Sequence, residues 1–409
     1  MSHHTLPEAT EALGCGFNRR DFLRLAGLAS VAGLASPLLS AGDLQAKTFK
    51  GDDVPVRLGY LPITDATPLL VADQLKLFEE QGLRTEKPRM FRSWAQLVEA
   101  FVAGQVNVIH LLTPATLWVR YGARFPAKIV AWNHMGGSAL TVGNNINNVG
   151  DLAGKTVAIP FWYSIHNILL QKILVENGLK AISLRPGQVQ ADDEVNLVVQ
   201  PPAEMVSALA GGSIAGFIVA EPFNATAELK GIGKVLRFSG DVWKDHACCV
   251  TFMAERDLNE RPEWTQRVTN AIVNAQKWSL QFTDETAALL AASGTGRYTP
   301  HSVETLDKVF SSKDFAQYQS AGLIHNPEWS QKRIDFQPYP YSSYTEELVR
   351  SLTATQLAGN NRFLNDLKPE FVARDLVDDR FVRRAIEAAG GPGVFGIDAS
   401  YTRRETIVV

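Results

Sequence analysis

The sequence predicts an α/β chain built as two similar lobes, and a repeated junction is the main reason. Residues 98–114 read as an apolar helix stopped at Gly104, an apolar strand over 106–111, and a polar residue, Thr113, before Pro114. Residues 206–222 repeat that order, with Gly211 and Gly212 as the stop, a strand over 214–219 and Glu221 before Pro222. Proline suits the first turn of a helix, so each copy runs from helix to strand to the next helix N-terminus. A looser echo pairs 77–83 with 174–179. Two copies of one plan aim helix N-termini at a shared cleft, which suits a small ligand and often an anion.

The elements follow in order. After a Lys/Asp-rich linker (47–53), residues 56–61 read as a buried strand. Thr67 is placed as N-cap and Pro68 as first residue of a helix whose core face is Leu69, Leu70, Ala72, Leu75, Leu77 and Phe78, ended by Gly82. Ser93 caps the next helix and Gly104 ends it; strand 106–111, helix 114–121 and strand 128–132 follow. Strands alternating with helices through short loops predict a largely parallel sheet covered on both faces. A strand over 138–142 leaves the first lobe. The second lobe then repeats the plan with strand 156–159, helix 164–177, strand 195–199, helix 203–210, strand 214–219 and helix 222–229. Residues 246–254 read as the strand that returns to lobe one. A long helix over 262–282 follows, with Val268, Ile272, Ala275, Trp278 and Leu280 expected inside. The mostly helical remainder is assigned to lobe one. The expected organisation is 54–137 for the first part of lobe one, 138–245 for lobe two, and 246–409 for the return with a helical C-terminal region.

The whole chain limits the function classes. Its 409 residues allow two cores, and 45% hydrophobic with 20% charged residues is ordinary soluble composition. A net charge of -3 supplies no basic field for nucleic acid or a membrane surface. Near the N-terminus, Arg19 and Arg20 precede Asp21-Phe22-Leu23 and a weakly apolar stretch over 25–41, which resembles a twin-arginine export signal. That stretch is too short, and too broken by glycines and Pro37, to span a bilayer. Residues 1–46 are therefore expected to be an export signal read by the twin-arginine translocase, and the mature protein to be periplasmic. Cys15 would leave with the signal. Cys248 and Cys249 are neighbours, which rarely suits a disulfide, so two buried thiols in a strand are expected.

Several segments together resemble a known family. They are Leu58-Gly59-Tyr60-Leu61-Pro62-Ile63-Thr64-Asp65-Ala66-Thr67-Pro68-Leu69, Ser93-Trp94, Ala103-Gly104-Gln105-Val106-Asn107, Asp151-Leu152-Ala153-Gly154-Lys155-Thr156-Val157-Ala158 and Ala220-Glu221-Pro222-Phe223. In this order, over roughly 55–290, the chain resembles the periplasmic substrate-binding proteins of ABC importers in the nitrate/sulfonate/bicarbonate (taurine) family. The resemblance implies a two-lobed, type II-like periplasmic-binding-protein fold with two crossing segments, closing on its ligand like a hinged trap. It also implies a small anion or sulfonate as ligand, an inner-membrane ABC permease with its ATPase as partner, a monomer, and neither catalysis nor cofactor. Thr64-Asp65-Ala66 before Pro68 and Ser164-Ile165-His166-Asn167 look closest to the nitrate and bicarbonate branch.

Backbone N–H groups at helix N-termini can hold an oxyanion while hydroxyl and amide groups orient it. The candidate contacts are therefore Thr64, Asp65, Thr67, Ser93, Trp94, Thr113 and Ser138 from lobe one, and Trp162, Tyr163, Ser164, His166, Asn167, Glu221 and Asn224 from lobe two. Thr67, Ser93 and Thr113 also read as helix caps, Trp94 as a core aromatic, and His166 as a structural histidine. Asp65 and Glu221 are awkward beside an anion: they bond backbone amides, meet an amine on a zwitterion, or help bind a cation. Glu221 reads best as a structural acid between the lobes. Trp162 and Tyr163 either stack on an organic ligand or simply pack. A divalent cation is conceivable in a bicarbonate-type site, yet no acidic ligand run marks one. Two alternatives remain. One is a pyrimidine or thiamin-precursor binding protein or synthase of the same fold, for which Cys248 and Cys249 with His246 are the local echo. The other is a ligand sensor with a regulatory partner.

Overall fold

The computed structural model describes residues 54–185, 187–329 and 332–409; the expected export signal and Cys15 lie outside the described residues. The apolar runs form two main sheets. The first has strand order β2-β1-β3-β12-β4, with β1 Leu58–Tyr60, β2 Arg89–Met90, β3 Val108–Leu112, β4 Ala127–Trp132 and β12 Cys249–Ala254. The second has order β11-β6-β10-β7-β9-β8, with β6 Ser138–Gly143, β7 Thr156–Ile159, β8 Lys180–Ile182, β9 Glu194–Val199, β10 Gly216–Ala220 and β11 Gly233–Phe238.

The two sheets share one topology. In the first, β1 pairs in parallel with β2 and β3, and β12 runs antiparallel between β3 and β4. In the second, β7 pairs in parallel with β9 and β10, and β6 runs antiparallel between β10 and β11. In each sheet the antiparallel strand, β12 or β6, follows a crossing from the other sheet, and the edge strand beside it, β4 or β11, precedes one. The repeated junctions fall on equivalent strands, β3 and β10. Gly104 and Gly212 both take φ +70, the left-handed conformation that ends the preceding helix and turns the chain into the strand.

The chain crosses between the sheets at 133–137 and again at 239–248. The crossings lie side by side: Met135 bridges Ala247, and β5 (Met135–Gly136) pairs with β13 (Ile334–Asp335). An apolar core runs from Ile109 and Leu111 of β3 to Val157 of β7 and Ile218 of β10, and a second joins Leu58, Leu69, Trp264, Val268 and Ile272 behind the first sheet. In the helix Pro262–Gln281, Val268, Ile272 and Ala275 are buried as expected, whereas Trp278 and Leu280 are only half-buried.

Three features depart from the sequence reading. Thr64–Ala66 already turn as a 3-10 helix, so the cap position of helix Thr67–Gln74 falls on Ala66, and Thr67 donates its hydroxyl back to the Thr64 carbonyl at 2.6 Å. Strands β8 and β11, and the two-residue strands β2, β5 and β13, have no counterpart in the sequence reading. The C-terminal region packs on both sheets' units: helix Arg380–Ala388 lies on helix Pro262–Gln281, while the Gln356 carbonyl accepts from Asn167 and Gln171 at 3.2 and 2.9 Å. Among the described residues no helix is long and apolar enough to cross a membrane.

Candidate functional site

The candidate residues sit at the C-terminal ends of parallel strands, the edge where open α/β sheets bind ligands. Thr64, Asp65 and Thr67 follow β1, Ser93 and Trp94 follow β2, and Thr113 follows β3. Across from them, Trp162 to Asn167 follow β7, and Glu221 and Asn224 follow β10. All are buried except Ser93, which is half-buried.

The two edges touch. The Thr64 N–H and hydroxyl both donate to the Glu221 carbonyl oxygen, at 3.0 and 3.1 Å. The Ser138 hydroxyl lies 2.8 Å from His166 Nε2. Thr113, the first residue of helix Thr113–Leu117, donates its hydroxyl to the Cys248 carbonyl at 2.9 Å, tying β3 to the returning crossing. A cleft of about 260 Å³ is lined by Leu61–Ile63 and Met90–Arg92 from one lobe and by Pro201–Glu204 and Phe223 from the other, and none of the candidate contacts lines it.

Some candidates have spent their polar groups on structure. Ser93 accepts from the Gln96 N–H at 3.3 Å as N-cap of helix Trp94–Val102. Ser164 caps helix Ile165–Glu176, accepting from Asn167 N–H at 3.1 Å and donating to the Phe161 carbonyl at 2.7 Å. Asn167 donates to Trp162 and Gln356 and accepts from Gln171. Asn224 accepts from Thr141 at 2.8 Å. The Glu221 carboxylate is held by Arg333 at 2.8 Å and by the Ala225 N–H at 3.1 Å. Burial pushes that carboxyl up against the pull of Arg333.

Other candidates keep polar atoms in reserve. Trp94 Nε1, the Tyr163 hydroxyl and His166 Nδ1 are buried with no hydrogen-bond partner. Native interiors rarely strand such groups, so each calls for an explanation. The rings of Trp118, Phe161, Tyr163 and Phe363 pack on one another, Tyr163 stacking on Phe363 at 6.1 Å.

Residues that the sequence reading passed over complete the site. His134, in the first crossing, places Nε2 3.0 Å from Asp65 Oδ2, and both side chains are fully buried. Burial alone would raise the Asp65 carboxyl, but the charge and hydrogen bond of His134 outweigh it and hold it at about 2. Burial would lower His134, but Asp65 lifts it to about 10. The pair is therefore ionised. Asn133 donates to the Asp65 carbonyl at 3.1 Å and accepts from Thr251 at 2.6 Å, fixing this turn. Burial holds His110 at about 3, so it is neutral; its Nε2 accepts from the Leu61 N–H at 2.8 Å, which leaves the proton on Nδ1. Cys248 and Cys249 are free and buried, as expected. His246 turns away from them to Ser239, at 2.9 Å, and His166 Nε2 lies 3.8 Å from Cys248 Sγ. The one signal available in the sequence was the polar pair Asn133-His134 directly after an apolar strand.

Two α/β lobes of equivalent topology, joined by paired crossings and meeting at their ligand-binding edges, define the two-lobed periplasmic-binding-protein fold. The sequence profile of the NMT1-like family matches residues 50–293, and the chain belongs to that family. It is 23% identical over 362 residues to the nitrate/nitrite binding protein NrtA of Synechocystis sp., covering 80% of each chain. It is 27% identical over 237 residues to the nitrate import ATP-binding protein NrtC of the same organism, covering 55% of this chain and only 35% of that protein. The chain thus spans about a third of that longer relative. The crystal structure of the periplasmic nitrate-binding protein NrtA from Synechocystis superposes with a TM-score of 0.68 at 20% identity, covering 86% of this chain and 93% of that one, a likeness of fold. The family resemblance and the two-lobed fold read from the sequence are both borne out.

Proposed function

We propose that this protein is an extracytoplasmic solute-binding protein that holds a small oxyanion between its lobes and hands it to an inner-membrane ABC permease with its ATPase. The observation that carries the reading is the set of unspent buried polar atoms on both lobes, Trp94 Nε1 on one side and the Tyr163 hydroxyl and His166 Nδ1 on the other. Polar groups at a helix N-terminus, together with its backbone N–H groups, bind an anion without needing a full countercharge. Membership of a family whose relatives include nitrate-binding proteins supports it further. Packing of Phe161 and Tyr163 against Trp118 and Phe363 favours a compact anion such as nitrate or bicarbonate over an organic sulfonate that needs a free ring to stack on. Capture by one lobe, hinge closure by the other and docking of the closed form complete the mechanism, with no bond made or broken in the ligand. The signal at 1–46 would deliver the protein to the periplasm through the twin-arginine translocase, where it acts as a monomer.

The test is a melting-temperature screen of ligand-free protein against nitrate, nitrite, bicarbonate, taurine, alkanesulfonates and thiamin-type pyrimidines. Ligand at a thousand times its Kd stabilises by about 4 kcal/mol, a shift of several degrees. An inorganic oxyanion shifting alone supports the proposal; a shift from a pyrimidine alone overturns it.

A further inference from the structure

We propose that Asp65, His134, Cys248 and Cys249 form a transition-metal site at the root of the hinge, with Zn²⁺ or Fe²⁺ as the class of ion. One ligand atom from each residue (a carboxylate oxygen, an imidazole nitrogen and two sulfurs) lies within 4.8 Å of all the others. All four side chains are fully buried. Two thiolates, an imidazole and a carboxylate make a four-donor set of the kind that tetrahedral zinc accepts. With Zn–N and Zn–O bonds of about 2.0–2.1 Å, neighbouring N and O donors stand roughly 3.3 Å apart. His134 Nε2 and Asp65 Oδ2 are already at 3.0 Å.

A second observation points the same way. Both Asp65 carboxylate oxygens are buried and, beyond the His134 ion pair at Oδ2, neither has a hydrogen-bond partner, so the carboxylate retains capacity for a further cationic partner. The surroundings supply the support that metal ligands need. Asn133 and Thr251 fix the Asp65 backbone. His166 Nε2 and the Ser138 hydroxyl stand 3.8 and 4.0 Å from Cys248 Sγ, within reach of a bound thiolate. On binding, metal–sulfur, metal–nitrogen and metal–oxygen bonds replace metal–water bonds as each thiol and the protonated His134 ring lose one proton to solvent, and no oxidant or reductant takes part.

The placement gives the site a consequence. Asp65 belongs to the turn after β1, His134 to the outgoing crossing, Cys248 to the end of the returning one and Cys249 to the start of β12. A metal here would clip together the two crossings and the first lobe, while Cys248 rests against His166 of the second. It would set the stiffness of the hinge independently of which solute the cleft takes, so this inference stands apart from the anion proposal.

The experiment uses the full chain in a Cys15→Ser background, reduced, stripped with chelator and titrated with Co²⁺ alone. The expected result is one cobalt per chain, with thiolate-to-cobalt charge transfer in the near ultraviolet and tetrahedral bands in the visible, both displaced by one equivalent of Zn²⁺. Cys248→Ser and Cys249→Ser each weaken binding at least tenfold and reduce the charge-transfer band, Asp65→Asn alters the visible bands, and exposed His325→Gln changes nothing. Because core variants can misfold, unsubstituted protein is also melted with zinc and with chelator, and zinc should raise the melting temperature by several degrees. Cobalt bound without charge transfer, a band that survives loss of both cysteines, or a melting temperature indifferent to zinc would overturn the assignment.

Discussion

Thr64 and Glu221 join the two lobes through a single carbonyl oxygen, which accepts the Thr64 N–H at 3.0 Å and its hydroxyl at 3.1 Å. One residue follows the first parallel strand of one sheet and the other ends the equivalent of β3 in the second. The contact exists only when the lobes are together. Thr64→Val keeps the shape and the N–H but removes the hydroxyl donor. A net hydrogen bond is worth about 1 kcal/mol, so affinity for the stabilising anion should fall roughly fivefold. Titration calorimetry on the variant measures this, and unchanged affinity would remove the contact from the closing mechanism.

Trp94 separates a ligand donor from a core aromatic. Its ring packs 5.2 Å from that of His110, while its Nε1 has no partner. Trp94→Phe keeps an aromatic ring and deletes the donor. Hydrogen bonds to charged groups contribute about 1.5–3 kcal/mol, so anion affinity should drop tenfold or more. The ligand-free melting temperature should move little. Lost stability with unchanged affinity would make Trp94 a core residue only.

Glu221 makes a second contact through its side chain, to Arg333 of the C-terminal region. Arg333 is fully buried against Glu221, Glu228 and Tyr318. Arg333→Met leaves the buried Glu221 carboxylate uncompensated, at a cost of about 3–5 kcal/mol. Adding Glu221→Gln should recover much of that loss in urea unfolding. Additive losses would show that the two side chains are not energetically coupled.

His301 gives the protein an acid sensitivity whose sign is fixed by burial. Its Nε2 meets the Pro62 carbonyl at 3.2 Å and its ring abuts Phe223, so burial, with Lys230 nearby, lowers its pKa from 6.5 to about 4. Between pH 6.5 and 4 the unfolded chain holds a proton on this residue that the folded one does not. Stability therefore falls as pH drops through that window, by about 2 kcal/mol from His301 alone between pH 6.5 and 5. His301→Gln should flatten the urea-midpoint profile over that range, and an identical slope would contradict the assignment.

The sequence announced the fold where local signals repeated. The Gly104 and Gly212 stops and the Thr113-Pro114 and Glu221-Pro222 junctions lie on equivalent strands because each is a short-range instruction for helix end, strand and helix start. Strand β11, Gly233 to Phe238, sets Val235 and Leu236 side by side and buries Arg237, so its sequence shows no clean period-two alternation. The three-residue edge strand β8 is too short to show any period. The capping Ser93 was legible for the same local reason, whereas Ser164, read as the first residue of its helix, is the N-cap. The Asp65–His134 pair and its approach to Cys248 and Cys249 were not, since their proximity is made by two chain crossings and by no spacing within one segment. The same applies to Arg333, whose partner Glu221 is distant in sequence.

The most direct measurement is titration calorimetry of ligand-free protein with nitrate, nitrite and bicarbonate, alongside taurine and an alkanesulfonate. The account predicts that one inorganic oxyanion binds with one site per chain and that Trp94→Phe weakens it at least tenfold. Saturable heat from none of the five, or binding that ignores Trp94, Tyr163 and His166 substitutions alike, would contradict a small-anion site between the lobes.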